Sequence, residues 1–107
     1  MNDQMKLVSE AFKAFREEAP EHAEAWMSAV QGLDRASALD DKSKHLAYLA
    51  VLAALGRVSG IPFHVHLAQQ VGASREEIIS AILVGLPAAG HIVTLSLPPA
   101  IAEFDSE

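Results

Sequence analysis

Residues 46–55 read LAYLAVLAAL, ten apolar side chains without a charge or a break. Such a run is too long and too poor in β-branched residues for a strand, and it is about half of what a membrane crossing needs. A helix remains. A helix that is apolar on every side is expected to be buried on every side, so this one is predicted to stand at the centre of the fold. Gly56, Gly60 and Pro62 end it, and Pro62 sits in the first turn of the next helix, where proline is tolerated.

The flanking sequence is helical throughout. Asn2 or Asp3 is expected to cap a first helix that runs to about Glu18, with Met5, Val8, Phe12 and Phe15 at helical spacing. Pro20 opens a second, with Ala23, Trp26, Met27 and Val30 facing inward and a stop near Gly32. Asp40 or Asp41 caps the central helix. The fourth is predicted over Pro62–Val71, closed by Gly72. Ser74 and Glu77 form a capping box for the fifth, Arg75 to about Leu86. The sixth starts at Pro87 or Ala88, is kinked or broken at Pro98-Pro99, and frays out by Asp105. Alternating strand patterns are absent. The reading is one all-α domain over residues 1–107, of about six helices.

Half of the residues are hydrophobic, and mean hydropathy is positive at +0.19. One small core does not use that much apolar material. The surplus is expected on a surface that meets a partner, and a homo-oligomer is predicted, as a trimer or hexamer. Eight basic against fourteen acidic residues leave a net charge of −6. That excludes a basic stripe for nucleic acid and disfavours docking on anionic lipid. With no cysteine at all, disulfides, thiol redox cycling and cysteine-ligated zinc are ruled out. The first twenty residues alternate charged and apolar positions, unlike a signal peptide. A soluble, cytoplasmic protein is expected.

From Leu39 onward the chain resembles the carboxymuconolactone decarboxylase and AhpD-like family. LDDKSKHLAYLAVLAALG stands for the family's first conserved helix, RVSGIPFHVHLAQQVGASREEIISAIL for the break, next helix and Gly-Ala-Ser-x-Glu-Glu-Ile segment, and AAGHIVTLSLPPAIAEFD for the last helix. The likeness covers about two thirds of the chain. Redox members of this family carry C-x-x-C-x-x-x-H at the break. Here Arg57 and Gly60 occupy the two cysteine positions, and the histidine remains as His64. The acidic residue that redox members carry near the start of the preceding helix falls at His45. Peroxidase and disulfide-reductase activity need a thiolate and a resolving thiol, so the resemblance does not extend to that chemistry. The decarboxylase branch also lacks the cysteines and often has arginine at the Arg57 position, but polar and acidic residues follow there, in place of Val58, Ser59 and Gly60.

The resemblance implies a cofactor-free decarboxylase or lyase acting on a small carboxylated or lactone metabolite. The alternative is an oligomer that binds a small ligand or a metal without redox activity. His64 and His45 are the candidate catalytic residues, and Arg57 and His91 the candidate substrate-binding residues. No resident metal or other cofactor is assigned. His64, near a helix N-terminus, is either a general acid/base or a side chain bonded to a loop carbonyl. His66, about 200° further round the helix, cannot share a ligand with it and is expected on a solvated face. His45 lies about 18 Å of helix rise from Arg57. It is either a relay partner, linked through water or across subunits, or a partly exposed helix-start residue. Arg57 either holds a carboxylate or satisfies the last carbonyls of the central helix. His91, behind Gly90, enters a pocket or an interface if the glycine allows close approach. His22 is expected to face solvent.

Overall fold

A computed structural model describes residues 9–106. Among them every regular element is helical, and six α-helices have at least nine residues. The chain divides into two compact units between Asp40 and Asp41.

The first unit holds α1 (Glu10–Glu18) and α2 (Pro20–Ala36), which pack on each other. Ser9 caps α1, its hydroxyl accepting the Phe12 N–H at 3.1 Å. The predicted helix therefore has a start at Glu10, while the expected caps Asn2 and Asp3 and the apolar positions Met5 and Val8 lie outside the described residues. Pro20 opens α2 as expected. The helix does not stop at Gly32 but runs to Ala36: an interior glycine costs only about 1 kcal/mol against alanine, and here it is outvoted by the turns on both sides. The inward face assigned to Trp26, Met27 and Val30 is corrected. All three are exposed, as is Leu33, and only Ala23 of that set is buried.

The second unit is built around α3 (Asp41–Leu55). A one-turn 3-10 segment, Val58–Gly60, leads into α4 (Ile61–Gln70), followed by α5 (Arg75–Leu83), the single turn α6 (Leu86–Ala89), a second 3-10 segment His91–Ser96, and α7 (Leu97–Asp105). Helix α3 packs against α4, α5 and the second 3-10 segment, while α7 packs on α4 and α5. Leu49 and Ala53 of α3, Ile61, Val65 and Ala68 of α4, Ile78 and Ile82 of α5, Val93 and Ala100 form one buried cluster. The central position of α3 is as expected, but its burial is not complete. Its Leu49–Ala53 side faces the core, whereas Tyr48, Val51 and Leu55 are exposed. Neighbours cover part of the cylinder only, and apolar composition alone does not say how much.

Both ends around α4 are closed by the same device. At the end of α3, Gly56 has φ +71°, its N–H reaches the Ala53 carbonyl at 3.1 Å, and the Arg57 N–H reaches the Leu52 carbonyl at 2.9 Å. At the end of α4, Gly72 has φ +95° and the N–H groups of Gly72 and Ala73 bond the carbonyls of Gln69 and Ala68. These are Schellman closures, in which a left-handed residue turns the chain while the last carbonyls find donors. The capping box of α5 forms as read from sequence, Ser74 and Glu77 exchanging bonds of 2.9 and 3.1 Å. The break in the last predicted helix falls at Gly90, with φ +83°, and not at Pro98-Pro99. Those prolines lie in the first turn of α7, where their missing donors cost nothing.

Candidate functional site

The chain reverses at Gly56–Gly60, so α4 returns alongside α3 and brings its first turns back past Leu52 and Tyr48. A β-carbon added at Gly60 would lie 3.5 Å from Leu52 Cδ1 and 3.9 Å from His64 Cδ2. His64, fourth residue of α4, is thereby laid against α3. Its ring centroid is 4.4 Å from that of Tyr48 and 5.2 Å from that of Phe63, the latter edge-on. The ring is partly buried, and its Nδ1 atom is fully buried with no hydrogen-bond partner among the described residues.

The aromatic enclosure sets the charge state. Burial, and after it the nearby His45, hold the His64 imidazole down at about 4, well below the ordinary 6.5. At neutral pH the ring carries one proton. An unpaired buried donor costs more than an unpaired lone pair, so the favoured tautomer protonates Nε2 and leaves a bare lone pair at Nδ1. A lone pair in that state accepts a proton or ligates a metal. The expected alternative role, a bond to a loop carbonyl, is not formed by Nδ1.

Of the four candidate residues, the structure brings His45 close to His64 and sets Arg57 and His91 toward the other end of α3 from His45. His45 lies one helical turn before Tyr48 and close enough to His64 to act on its charge. The fold-back of α4 thus recovers more of the helix rise than sequence spacing suggests. Arg57 and His91 are exposed and stand at the other end of α3. Arg57 follows the Gly56 turn, and it is its backbone N–H, rather than its guanidinium, that satisfies the end of α3. His91 follows Gly90 and precedes Ile92, whose Cδ1 would come within 2.8 Å of a β-carbon on Gly56. Within one chain, His91 does not enter the surroundings of His64 that the ring contacts define.

His66 points the other way, as its helical angle requires, but not into solvent. It is partly buried, with Nδ1 3.9 Å from Glu103 of α7. Glu103 is the one carboxylate within an otherwise apolar stretch of the last helix, which is the signal that marks it. Tyr48 is the neighbour of His64 that sequence reasoning passed over. Tyr48 is three residues from His45, hence on the same helical face, and that spacing was the available clue. His22 is exposed, as expected.

An open groove of about 460 Å³ runs between α3 and α5, lined mostly by Leu46, Ala47, Ala50, Ala81 and Val84 with Glu76 and Glu77 at its rim. None of the four candidates lines it. Its one carboxylate with a shifted proton affinity is Glu77, held below the usual range by the Ser74 backbone and by Lys42, 3.0 Å away. Those contacts account for Glu77 as a capping residue. Among the described residues no three His, Asp or Glu side chains are placed to hold a metal ion, and no helix is long and apolar enough to cross a membrane.

A sequence model of the carboxymuconolactone decarboxylase family matches residues 20–97. No curated protein and no solved structure matches the chain. The matched span contains His45, Arg57, His64 and His91.

Proposed function

The chain belongs to the carboxymuconolactone decarboxylase family, and we propose that it is a cofactor-free carboxy-lyase for a small carboxylated or lactone-like metabolite, with His64 as its proton-transfer group. The observation that carries this reading is the buried, unpartnered Nδ1 of an imidazole held neutral by its surroundings. In the reaction the bond from carbon to the carboxylate breaks, its electron pair stays on carbon, carbon dioxide leaves, and carbon takes up a proton. An imidazolium whose proton affinity has been lowered is a strong donor to such a carbon. His64 carries the proton to that carbon, and the nearby His45 lowers its proton affinity. Arg57 supplies a guanidinium for the substrate carboxylate, and His91 is a second contact at the same end of α3. Thiol peroxidase chemistry has no place in this scheme, since the chain has no cysteine.

The test is release of carbon dioxide from a panel of small lactone carboxylates by the wild-type protein and by His64→Gln. Loss of an acid–base group costs about 10²–10⁴-fold, and a fall of that size is expected. Equal rates in the two proteins rule out the role of His64. A second reading, ligand or metal binding without turnover, is favoured by the closeness of His45 to His64. Dialysis against zinc, nickel or copper followed by elemental analysis separates the two: one ion per chain, lost in His64→Gln, supports the second reading, and no retained ion removes it.

A further inference from the structure

The Nδ1 atom of His64 is fully buried and has no partner among the described residues. As the side chains stand, a small molecule cannot touch it. A ligand of that nitrogen has to move one of the groups around the ring, and those groups differ in how firmly they are held. Leu52 packs against the buried core cluster. Phe63, next to His64 in the chain, is half-buried and meets the ring edge-on. The Gly60 backbone lies on the Cδ2 side, since a β-carbon added there would come within 3.9 Å of that atom. Cδ2 is across Cγ from Nδ1, so the break between α3 and α4 stands at the ring edge away from Nδ1.

Tyr48 is held least. It comes from the facing helix, and its ring lies 4.4 Å from the imidazole at an angle of 43°. It is 48% exposed and is not part of the core cluster. No hydrogen bond among the described residues holds its hydroxyl. A half-exposed side chain with an unanchored tip changes rotamer readily and fast. Leu49 and Ala53 fix α3 in the core, so the helix stays in place when the ring turns.

We propose that Tyr48 is the positioning residue of this site, a swinging cover that keeps His64 Nδ1 dry when closed and admits a small ligand to it when turned outward. The proposal rests on the reading of His64 as the reacting group. Closed, the phenol ring lies on the imidazole and keeps water from its lone pair, in keeping with burial as the first cause of the lowered proton affinity. Open, it leaves the imidazole facing the space beside His45, one turn earlier on the same face of α3. The ring and not the hydroxyl is the cover, so phenylalanine serves in its place and alanine does not.

Because the chain has no cysteine, iodoacetamide is not consumed by thiols, and its slower reaction with imidazoles can be followed. Adducts on the two ring nitrogens separate by chromatography after digestion, and fragment masses tell His64 from His66. An open state holding about 0.1–10% of molecules slows reaction at a covered atom by about 10- to 1000-fold. At pH 7 the wild-type Nδ1 of His64 is expected to be alkylated slowly but to completion. In Tyr48→Ala the rate is expected to rise about tenfold or more, and in Tyr48→Phe to stay at the wild-type value. His66, which faces Glu103, is expected to react alike in all three proteins, with helical circular dichroism unchanged. An unchanged Nδ1 rate in Tyr48→Ala overturns the cover, as does a Tyr48→Phe protein as fast as Tyr48→Ala. A wild-type Nδ1 that never reacts, while that of Tyr48→Ala does, means a fixed wall and overturns the swing. A parallel rise at His66 means that α4 has loosened, and it too overturns the proposal. None of these readouts needs turnover. A cover that passes them in a protein that decarboxylates nothing removes the reaction proposed above and leaves the cover standing.

Discussion

At the scale of single residues, His64 links stability to pH in a direction opposite to an ion-paired histidine. Its folded pKa is about 4, against 6.5 for the free side chain. Between those values the unfolded chain binds more protons than the folded one, so stability rises with pH across the window. The contribution is whole above about 6.5, declines as pH falls, and is gone below about 4. The ring is partly solvated, so screening reduces the effect to on the order of 1–2 kcal/mol. Urea unfolding at pH 7 and pH 4.5 is expected to show this extra acid loss in the wild type and not in His64→Gln. A wild type and variant that lose stability in parallel mean that the ring is open to water. His66, two residues on, has different neighbours. Its neighbour is the Glu103 carboxylate rather than two aromatic rings, and two histidines of one helix are thereby given different surroundings by nothing more than 200° of helical rotation, an angle of about two residues.

At the scale of elements, the glycines behind α3 and α4 have the same backbone role and different surroundings. Gly56 and Gly72 both hold left-handed conformations that a side chain resists. A β-carbon on Gly56 would also collide with Ile92 at 2.8 Å, while one on Gly72 meets nothing within 4 Å. Gly72→Ala is therefore expected to cost about 1 kcal/mol of conformational strain, and Gly56→Ala more, because Ile92 must also move. Chemical denaturation of the two variants checks the order, and equal losses mean that Ile92 moves aside without cost. The capping box, the proline starts and both glycine stops around α4 were legible because each is a local backbone requirement written within four residues. Gly32 shows the limit of that reading. A glycine stops a helix only where the chain turns, and whether it turns is decided by what lies beyond it. Pro98-Pro99 shows the same limit from the other side: a proline pair breaks a helix in the middle and starts one at the first turn, and the composition is identical.

Across the whole molecule, the core of the second unit joins five elements through very few large side chains. Leu49 of α3 is fully buried within the cluster that includes Ile61, Val65, Ile78 and Ile82. Leu49→Ala is expected to lower stability by about 2–5 kcal/mol, read as a shift of the denaturation midpoint, whereas Leu39→Ala, at an exposed position, is expected to change it by less than about 0.5 kcal/mol. A small loss at Leu49 means the surrounding helices close over the gap.

The helical class, the sites of most helix ends, the exclusion of thiol chemistry and the likeness to a family all follow from residues read in order, because each depends on near neighbours or on composition alone. Burial does not. Trp26, Met27 and Val30 have the spacing of a core face and are exposed, and α3 is apolar on every side yet covered on only some, because hydrophobic periodicity names a face without naming what meets it. The approach of His45 to His64 and the contact of the Tyr48 ring with that imidazole are settled by how α4 folds back on α3. They are distances between parts of the chain that sequence spacing leaves free.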